Sequence, residues 1–263
     1  MKEARHNVGE YHSFIRKIDD KLGIDLALYK EAQMKRRLTS LRNKRGYKDF
    51  STYFNALFTD ETLLDEFLDR MTINVSEFYR NPKRWDVLQE KVLPKLVQNK
   101  QHISIWSAAC STGEEPYSLA MMLKEHFPHI KATILATDID DGVLEKATLG
   151  IYDSQALKNL PPRKKSKYFV HKNNKYYIDP QLKTMITFKK QNLLKDPYPA
   201  NVDLIVCRNV LIYFTDAAKE QIYKNFSNAL IQNGILFVGS TEQIFNPNDY
   251  GFTLFDTFFY QKQ

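Results

Sequence analysis

From Ile103 onward, short apolar runs of strand length alternate with runs of helix length, and this alternation constrains the fold more than any other feature. Strand-like runs fall at Ile103–Ala109, Ala132–Thr137, Ile186–Gln191, Val202–Cys207 and Ile235–Gly239. Helical runs fall at Pro116–Phe127 and Asp216–Leu230. Strands alternating with helices predict an α/β fold with a parallel, doubly wound sheet. The aromatic tail, Phe252–Tyr260, reads as antiparallel edge strands. Between Gly150 and Ile186 the alternation lapses into a lysine-rich stretch holding Tyr176, Tyr177 and Ile178, which predicts a small hairpin insertion.

The first ~75 residues read as helix alone. Proline is absent before Pro82, and Gly9, Gly23 and Gly46 stand where helices would start or stop. Met34, Leu38 and Leu41 form an apolar stripe at helical spacing. Lys35 and Arg42 share a neighbouring face, with Arg36 further round. A second periodic run, from Phe54 through Leu57, Leu64 and Phe67 to Met71, completes a small helical bundle.

Charge narrows the choice of partners. The net charge of +7 is uneven: Lys30–Lys48 carries +7 and Lys158–Lys190 carries +9, so the remainder is acidic. Two basic patches on an acidic chain suggest an anionic partner, or solvated lysine faces. No run approaches the ~20 apolar residues of a membrane span, so no membrane insertion is expected. The N-terminal residues lack the apolar core of a secretion signal. Cys110 and Cys207 alone make no disulfide framework, which fits a cytoplasmic protein. His126 and His129 have no further ligand nearby, so no metal is expected.

The chemistry concentrates where the first strand ends. Ala108-Ala109-Cys110-Ser111-Thr112-Gly113 is a turn of small residues leading into a helix that starts Glu114-Glu115. Strand, tight turn and helix start make a ligand-binding point in open α/β sheets. A dinucleotide site would want Gly-x-Gly-x-x-Gly here, but only Gly113 is present, and the two acids would repel a pyrophosphate. S-adenosylmethionine, with ammonium, carboxylate and sulfonium groups, suits the turn better. Asp138, ending the second strand, is placed to accept hydrogen bonds from ribose hydroxyls. Alternatively, Asp138 or Asp140 caps the next helix.

Four runs then carry a resemblance: Thr72–Arg80 (TINVSEFYR), Trp106–Ser118 (WSAACSTGEEPYS), Ala136–Asp140 (ATDID) and Cys207–Phe214 (CRNVLIYF). Together they resemble the chemotaxis receptor methyltransferases, enzymes that methylate glutamate side chains of bacterial chemoreceptors. The resemblance implies an all-α domain over residues 1–78, followed by a class I, Rossmann-like methyltransferase domain over residues 79–263. A β-subdomain would span 152–186. It further implies S-adenosylmethionine as cofactor, S-adenosylhomocysteine as product and the cytoplasmic signalling domain of chemoreceptors as partner. The matching cofactor positions are Asn74, Ser76, Arg80, Glu115, Asp138, Asn192 with Leu193, and Arg208 with Asn209. Arg80 and Tyr213 would face the transfer site, and Lys35, Arg36, Arg37 and Arg42 would dock the receptor. Two rival readings are a nucleic-acid methyltransferase using the basic patches and a non-catalytic cofactor-binding module. The first lacks an Asn-Pro-Pro-Tyr loop for a base; against the second, Arg80, Asp138 and Tyr213 are intact.

Overall fold

The computed structural model describes residues 2–72 and 74–263; Ile73, inside the first motif, lies outside them. The chain forms two compact units. The first runs to Asn74 and takes in Tyr213–Lys219; the second holds Val75–Ile212 and Glu220–Gln263.

The first unit is built from α1 (Lys2–Leu22), α2 (Glu31–Lys44), α3 (Phe50–Leu57) and α4 (Glu61–Thr72). Helix α3 starts at Asp49, whose side chain accepts the Thr52 N–H at 2.7 Å, a standard N-cap. The apolar stripe of α2 is buried at Met34, Leu38 and Leu41. Phe14 of α1 centres the core, its ring 4.8 Å from Phe50 and 6.1 Å from Phe67. Burial of each such ring stabilises the unit by roughly 1.5–3 kcal/mol.

Two expectations are corrected by these contacts. Residues 75–78 belong with the second unit, because the Phe78 N–H donates to the Ala156 carbonyl at 3.1 Å and the Phe78 ring packs on Tyr152 and Phe169. Conversely, Tyr213–Lys219 belong with the helices. Lys30 N–H donates to the Tyr213 carbonyl at 2.8 Å, Thr215 N–H donates to Leu28 at 2.9 Å, and the rings of Tyr29 and Phe214 meet.

Arg42 is a third correction. It is only 7% exposed, where a docking residue is expected on the surface. The Gly46 turn brings Phe50 back against the last turn of α2, and the Arg42 guanidinium sits 4.6 Å from the Phe50 ring centre. Arg42 Nη2 also donates to Asn43 Oδ1 at 2.9 Å. A cation held against an aromatic face is an internal fastening.

The second unit opens with α5 (Pro82–Val87), which continues through one wide turn into α6 (Leu93–Val97). There follow β1 (His102–Ala108), α7 (Glu114–His126), β2 (Lys131–Asp138), α8 (Asp141–Leu149), β3 (Ile151–Tyr152), α9 (Pro162–Tyr168), β4 (Phe169–Lys172), β5 (Lys175–Ile178), α10 (Pro180–Lys183), β6 (Ile186–Lys190), β7 (Val202–Cys207), α11 (Asp216–Ala229, in this unit from Glu220), β8 (Leu230–Val238), β9 (Phe252–Asp256) and β10 (Phe259–Lys262). The main sheet has the order β6-β2-β1-β7-β8-β10-β9. The run from β6 to β8 is parallel, and β10 pairs antiparallel with β8 and β9. Every residue of β7 is buried, as a central parallel strand covered on both faces must be. The lysine-rich lapse forms a separate antiparallel sheet, β3-β5-β4. Because β1 lies between β2 and β7, the strand order reverses there, and the carboxyl ends of β1 and β7 flank a crevice.

Charge reversal separates the fastening from the surface. Arg42→Glu should cost roughly 3 kcal/mol or more, since it places an uncompensated charge against Phe50. Arg36→Glu, on an exposed side chain, should stay within about 0.5 kcal/mol. Equal thermal melting of the two variants would return Arg42 to the surface.

Candidate active site

The turn after β1 has an unusual backbone. Ala109 and Ser111 have φ of 63° and 49°, and Gly113 has φ 92°. Left-handed conformations cost a non-glycine residue roughly 1–2 kcal/mol, so this shape is imposed by its surroundings. Two neighbours impose it. The Cys110 N–H donates to the Thr137 carbonyl at 2.9 Å, and the Ser111 N–H donates to Asp138 Oδ2 at 2.8 Å. Gly113 is required twice over, since a Cβ there would also come within 2.9 Å of the Ala147 methyl on α8. Cys110 is buried and burial raises its pKa, so it is a small filler and not a reactive thiol.

The two acids of β2 divide their work. Asp140 caps α8, its Oδ1 accepting the Gly142 N–H at 2.9 Å. Asp138 instead braces the turn with Oδ2, while its Oδ1 accepts the Asp140 N–H at 3.2 Å. Burial pushes the Asp138 carboxyl up to about 6, against the pull of these N–H groups. A carboxylate has about four acceptor sites, so capacity remains for further donors.

The paired glutamates at the start of α7 also diverge. Glu114 is buried and accepts from Thr112 Oγ1 at 2.7 Å and from the hydroxyl of Ser76. Glu115 accepts the Ser107 hydroxyl at 2.8 Å and lies 3.7 Å from Arg208 Nη1. Burial pushes Glu115 up to about 6, opposed first by Arg208 and then by Ser107. Arg208 is 8% exposed, and its Nη2 donates to the Arg80 carbonyl at 2.7 Å. Its guanidinium rests 4.8 Å from the Phe237 ring centre, and its Nε is buried without a hydrogen-bond partner. Arg80 lies close enough to stabilise the Glu115 carboxylate and to oppose the Arg208 charge. Its own Nη1 donates to the Val75 carbonyl at 3.0 Å. The structure therefore gathers Ser76, Arg80, Glu115, Asp138 and Arg208 around the carboxyl ends of β1, β2 and β7.

The other expected residues are placed as follows. The segment after β6 reaches Asp138 through the Gln191 N–H, 2.8 Å from the Asp138 carbonyl. Beyond it, Asn192 Oδ1 accepts the Leu194 N–H at 2.9 Å, and Leu193 is buried. Asn209 follows Arg208 with φ 63°. Asn74 and Tyr213 lie in the helical unit. Asn74 Nδ2 donates to Thr72 Oγ1 at 2.9 Å, and the Arg37 guanidinium stands 5.5 Å from the Tyr213 ring centre. Arg37 Nη1 also donates to the Met71 carbonyl at 2.8 Å. Lys35 lies over the Tyr11 ring, and Arg36 is exposed.

Sequence reasoning missed Glu242. Its carboxylate is 4% exposed and accepts backbone N–H groups from Asn209 at 2.6 Å and Gly239 at 2.7 Å. The only local signal is a glycine three residues before an acid at a strand end.

The donor set fits S-adenosylmethionine. Buried acids and a buried guanidinium stand together, with the Arg208 Nε donor and Asp138 acceptor capacity unspent. Ribose hydroxyls would donate to the ionised Asp138, and a bound ammonium would favour ionised Glu115. Affinity for S-adenosylhomocysteine should therefore fall as pH drops through about 6. For each group so coupled, the loss from pH 7 to pH 5 is about tenfold. The sign reverses for the unliganded fold: these raised acids favour folding below their unfolded pKa, and that contribution is lost as pH rises through about 6. Calorimetric titration with S-adenosylhomocysteine at several pH values checks this, and Asp138→Asn should flatten the profile. Affinity independent of pH from 5 to 7 would remove both carboxylates from the site.

Comparison with known proteins gives the family. The family profile described as "CheR methyltransferase, SAM binding domain" matches residues 74–258, and "CheR methyltransferase, all-alpha domain" matches residues 9–72. The chain is 46% identical over 254 residues to a chemotaxis protein methyltransferase of Listeria monocytogenes, covering 96% of this chain and 97% of the relative. A chemotaxis protein methyltransferase of Borreliella burgdorferi is 39% identical over 249 residues, covering 89% and 88%. Across nearly its whole length, then, the chain belongs to the CheR methyltransferase family, S-adenosylmethionine-dependent methyltransferases of chemotaxis.

Proposed function

We propose that the chain is a protein-glutamate O-methyltransferase that esterifies glutamate side chains in the cytoplasmic signalling domain of chemoreceptors. The observation that carries this is the gathering of Arg80, Arg208 and Glu115 beside the Ala109–Gly113 turn, a site suited to carboxylate and ammonium groups. S-adenosylmethionine, when bound, supplies an electrophilic methyl group on a sulfonium. The acceptor glutamate, with a reference pKa of ~4.3, is already ionised at neutral pH, so no general base is needed. Catalysis rests on alignment and on stripping water from the acceptor carboxylate.

The residues take distinct parts. Asp138 holds the ribose hydroxyls. Glu115 balances the cofactor's ammonium, and Arg208 its carboxylate. Ser76, Asn192 with Leu193, and Asn209 line the same site, with Asn74 at its sequence border. Arg80 presents a planar fork to a carboxylate. Tyr213 acts on the methyl in transfer. Lys35, Arg36 and Arg37 supply the basic docking face, with Arg36 its exposed member. Nucleic acid suits the surface less well. In the second basic patch, Lys158 pairs with Glu77, Lys164 and Lys167 with Glu125, Lys175 with Asp153, and Lys190 with Asp141.

Incubation with labelled methyl donor and chemoreceptor-containing membranes tests the substrate. Label should enter the receptor and leave under mild alkali, because carboxyl esters hydrolyse where N-methyl groups persist. Alkali-stable label, or transfer to tRNA or DNA, would sink the proposal. Arg80→Ala should be close to inactive, and Arg80→Lys should lose turnover more than cofactor affinity. Tyr213→Phe should lower kcat and kcat/KM together with S-adenosylhomocysteine affinity nearly unchanged. Full activity in Arg80→Ala would rule out its part.

A further inference from the structure

Glu242 lies close enough for its charge to act on Arg208 and Glu115, but its hydrogen bonds are to backbone. Oε2 accepts the Asn209 N–H at 2.6 Å and the Gly239 N–H at 2.7 Å, and Oε1 accepts the Ile212 N–H at 3.3 Å. One carboxylate thus ties the end of β8 to the loop that leaves β7. The arrangement excludes a side chain at position 239, where a Cβ would collide with Glu242 Oε2 and lie 2.9 Å from the Asn209 nitrogen. It also explains the backbone at Asn209, which is left-handed with φ 63°. That conformation turns the Asn209 N–H onto the carboxylate while Arg208, one residue earlier, reaches Arg80 and Glu115.

We infer that Glu242 is a positioning residue for the methyltransferase site, fixing the Arg208–Ile212 loop so that Arg208 and Asn209 meet the cofactor. The inference rests on the proposed cofactor roles of Arg208 and Asn209. Hydrogen bonds to a charged acceptor are the strong class, and a buried carboxylate left without them is costly. With the Leu211 N–H also acting on it, the carboxylate meets about as many backbone donors as it has acceptor sites. Glutamine has the same shape, but its amide group brings N–H donors to where backbone N–H groups already point. Aspartate keeps the charge and is one methylene shorter, so it cannot span Gly239, Asn209 and Ile212 together.

The test is a double-mutant cycle read by calorimetric titration with S-adenosylhomocysteine, using Glu242→Gln, Asn209→Gly and the pair. Glycine is chosen at 209 because it tolerates the left-handed backbone while removing the side chain. Glu242→Gln should weaken S-adenosylhomocysteine roughly tenfold and raise the KM for the methyl donor by a similar factor, with the KM for receptor within twofold. On the Asn209→Gly background, Glu242→Gln should add less than threefold, because one of the two side chains it positions is gone and only Arg208 is left. Glu242→Asp, titrated alongside, should fall between parent and Glu242→Gln, and it carries the test if the glutamine variant does not fold. A lower melting temperature with parent-like affinity in both Glu242 variants would mean a merely structural residue and overturn the inference. Full additivity in the cycle would overturn the positioning of Asn209. Parent-like affinity in Asn209→Gly would instead overturn the cofactor reading of Asn209, and the positioning of that residue with it.

Discussion

The site depends on holding carboxyl groups out of water at the carboxyl edge of a parallel sheet. Asp138, Glu114, Glu115 and Glu242 all have pKa values raised chiefly by burial. Burying a carboxylate costs several kcal/mol unless donors replace its water, and a hydrogen bond to a charged group returns roughly 1.5–3 kcal/mol. The chain meets this cost differently at each acid. Glu242 takes backbone N–H groups, Glu114 takes hydroxyls, and Glu115 takes Ser107 and the nearby Arg208. Asp138 takes two backbone N–H groups and still sits near 6, so its compensation is incomplete without ligand. An incompletely compensated acid is where added donors gain most. That is the physical sense in which the unliganded site is ready for a hydroxyl- and ammonium-bearing cofactor.

Most of the architecture was legible because parallel strands buried on both faces are written as unbroken apolar runs. Val202–Cys207 matches β7 residue for residue. The turn after β1 was legible for a chemical reason, since acids in place of glycines exclude a pyrophosphate. What escaped was non-local. Arg42 lies seven residues from Lys35 on a helical wheel, but the wheel does not show that Phe50 folds back against it. Tyr213–Lys219 lie deep in the second unit's sequence, and only backbone bonds to Leu28 and Lys30 assign them to the helices. Glu242 braces a residue 33 positions away, and no periodicity reports such a pairing.

Charge counting misled in a related way. The Lys158–Lys190 stretch carries +9 in isolation, yet the fold brings acids from outside the stretch to it: Glu77, Glu125, Asp141 and Asp153. Lys183 is spent on the carbonyls of Thr148 and Leu149 at the end of α8, where a cation also favours the helix dipole. Exposed pairs of this kind contribute ~0–1 kcal/mol each to stability. Their larger consequence is that the patch offers an approaching anion far less free charge than its sequence suggests. The basic character of Lys30–Lys48 is reduced too, because Lys44 and Arg45 pair with Glu66 and Arg42 is buried.

Left-handed backbone marks the segments that carry the charged groups of the second unit. Tyr79 and Asn81 flank Arg80, Ala109 and Ser111 shape the turn before Glu115, and Asn209 follows Arg208. Asparagine adopts this conformation readily, but tyrosine, alanine and serine do not. Three of the five are held by a named bond: the Tyr79 N–H donates to Ser118 Oγ at 3.1 Å, the Ser111 N–H to Asp138, and the Asn209 N–H to Glu242. Strain of roughly 1–3 kcal/mol per residue persists only where the surroundings over-determine the backbone. Here the over-determining partners are themselves buried polar groups, so the strained backbone and the buried acids stabilise one another. The turn needs the ionised Asp138 as acceptor, and Asp138 needs the turn's N–H to remain ionised. Such mutual dependence sets the geometry before a cofactor arrives, which leaves more of the binding free energy for aligning the methyl with its acceptor.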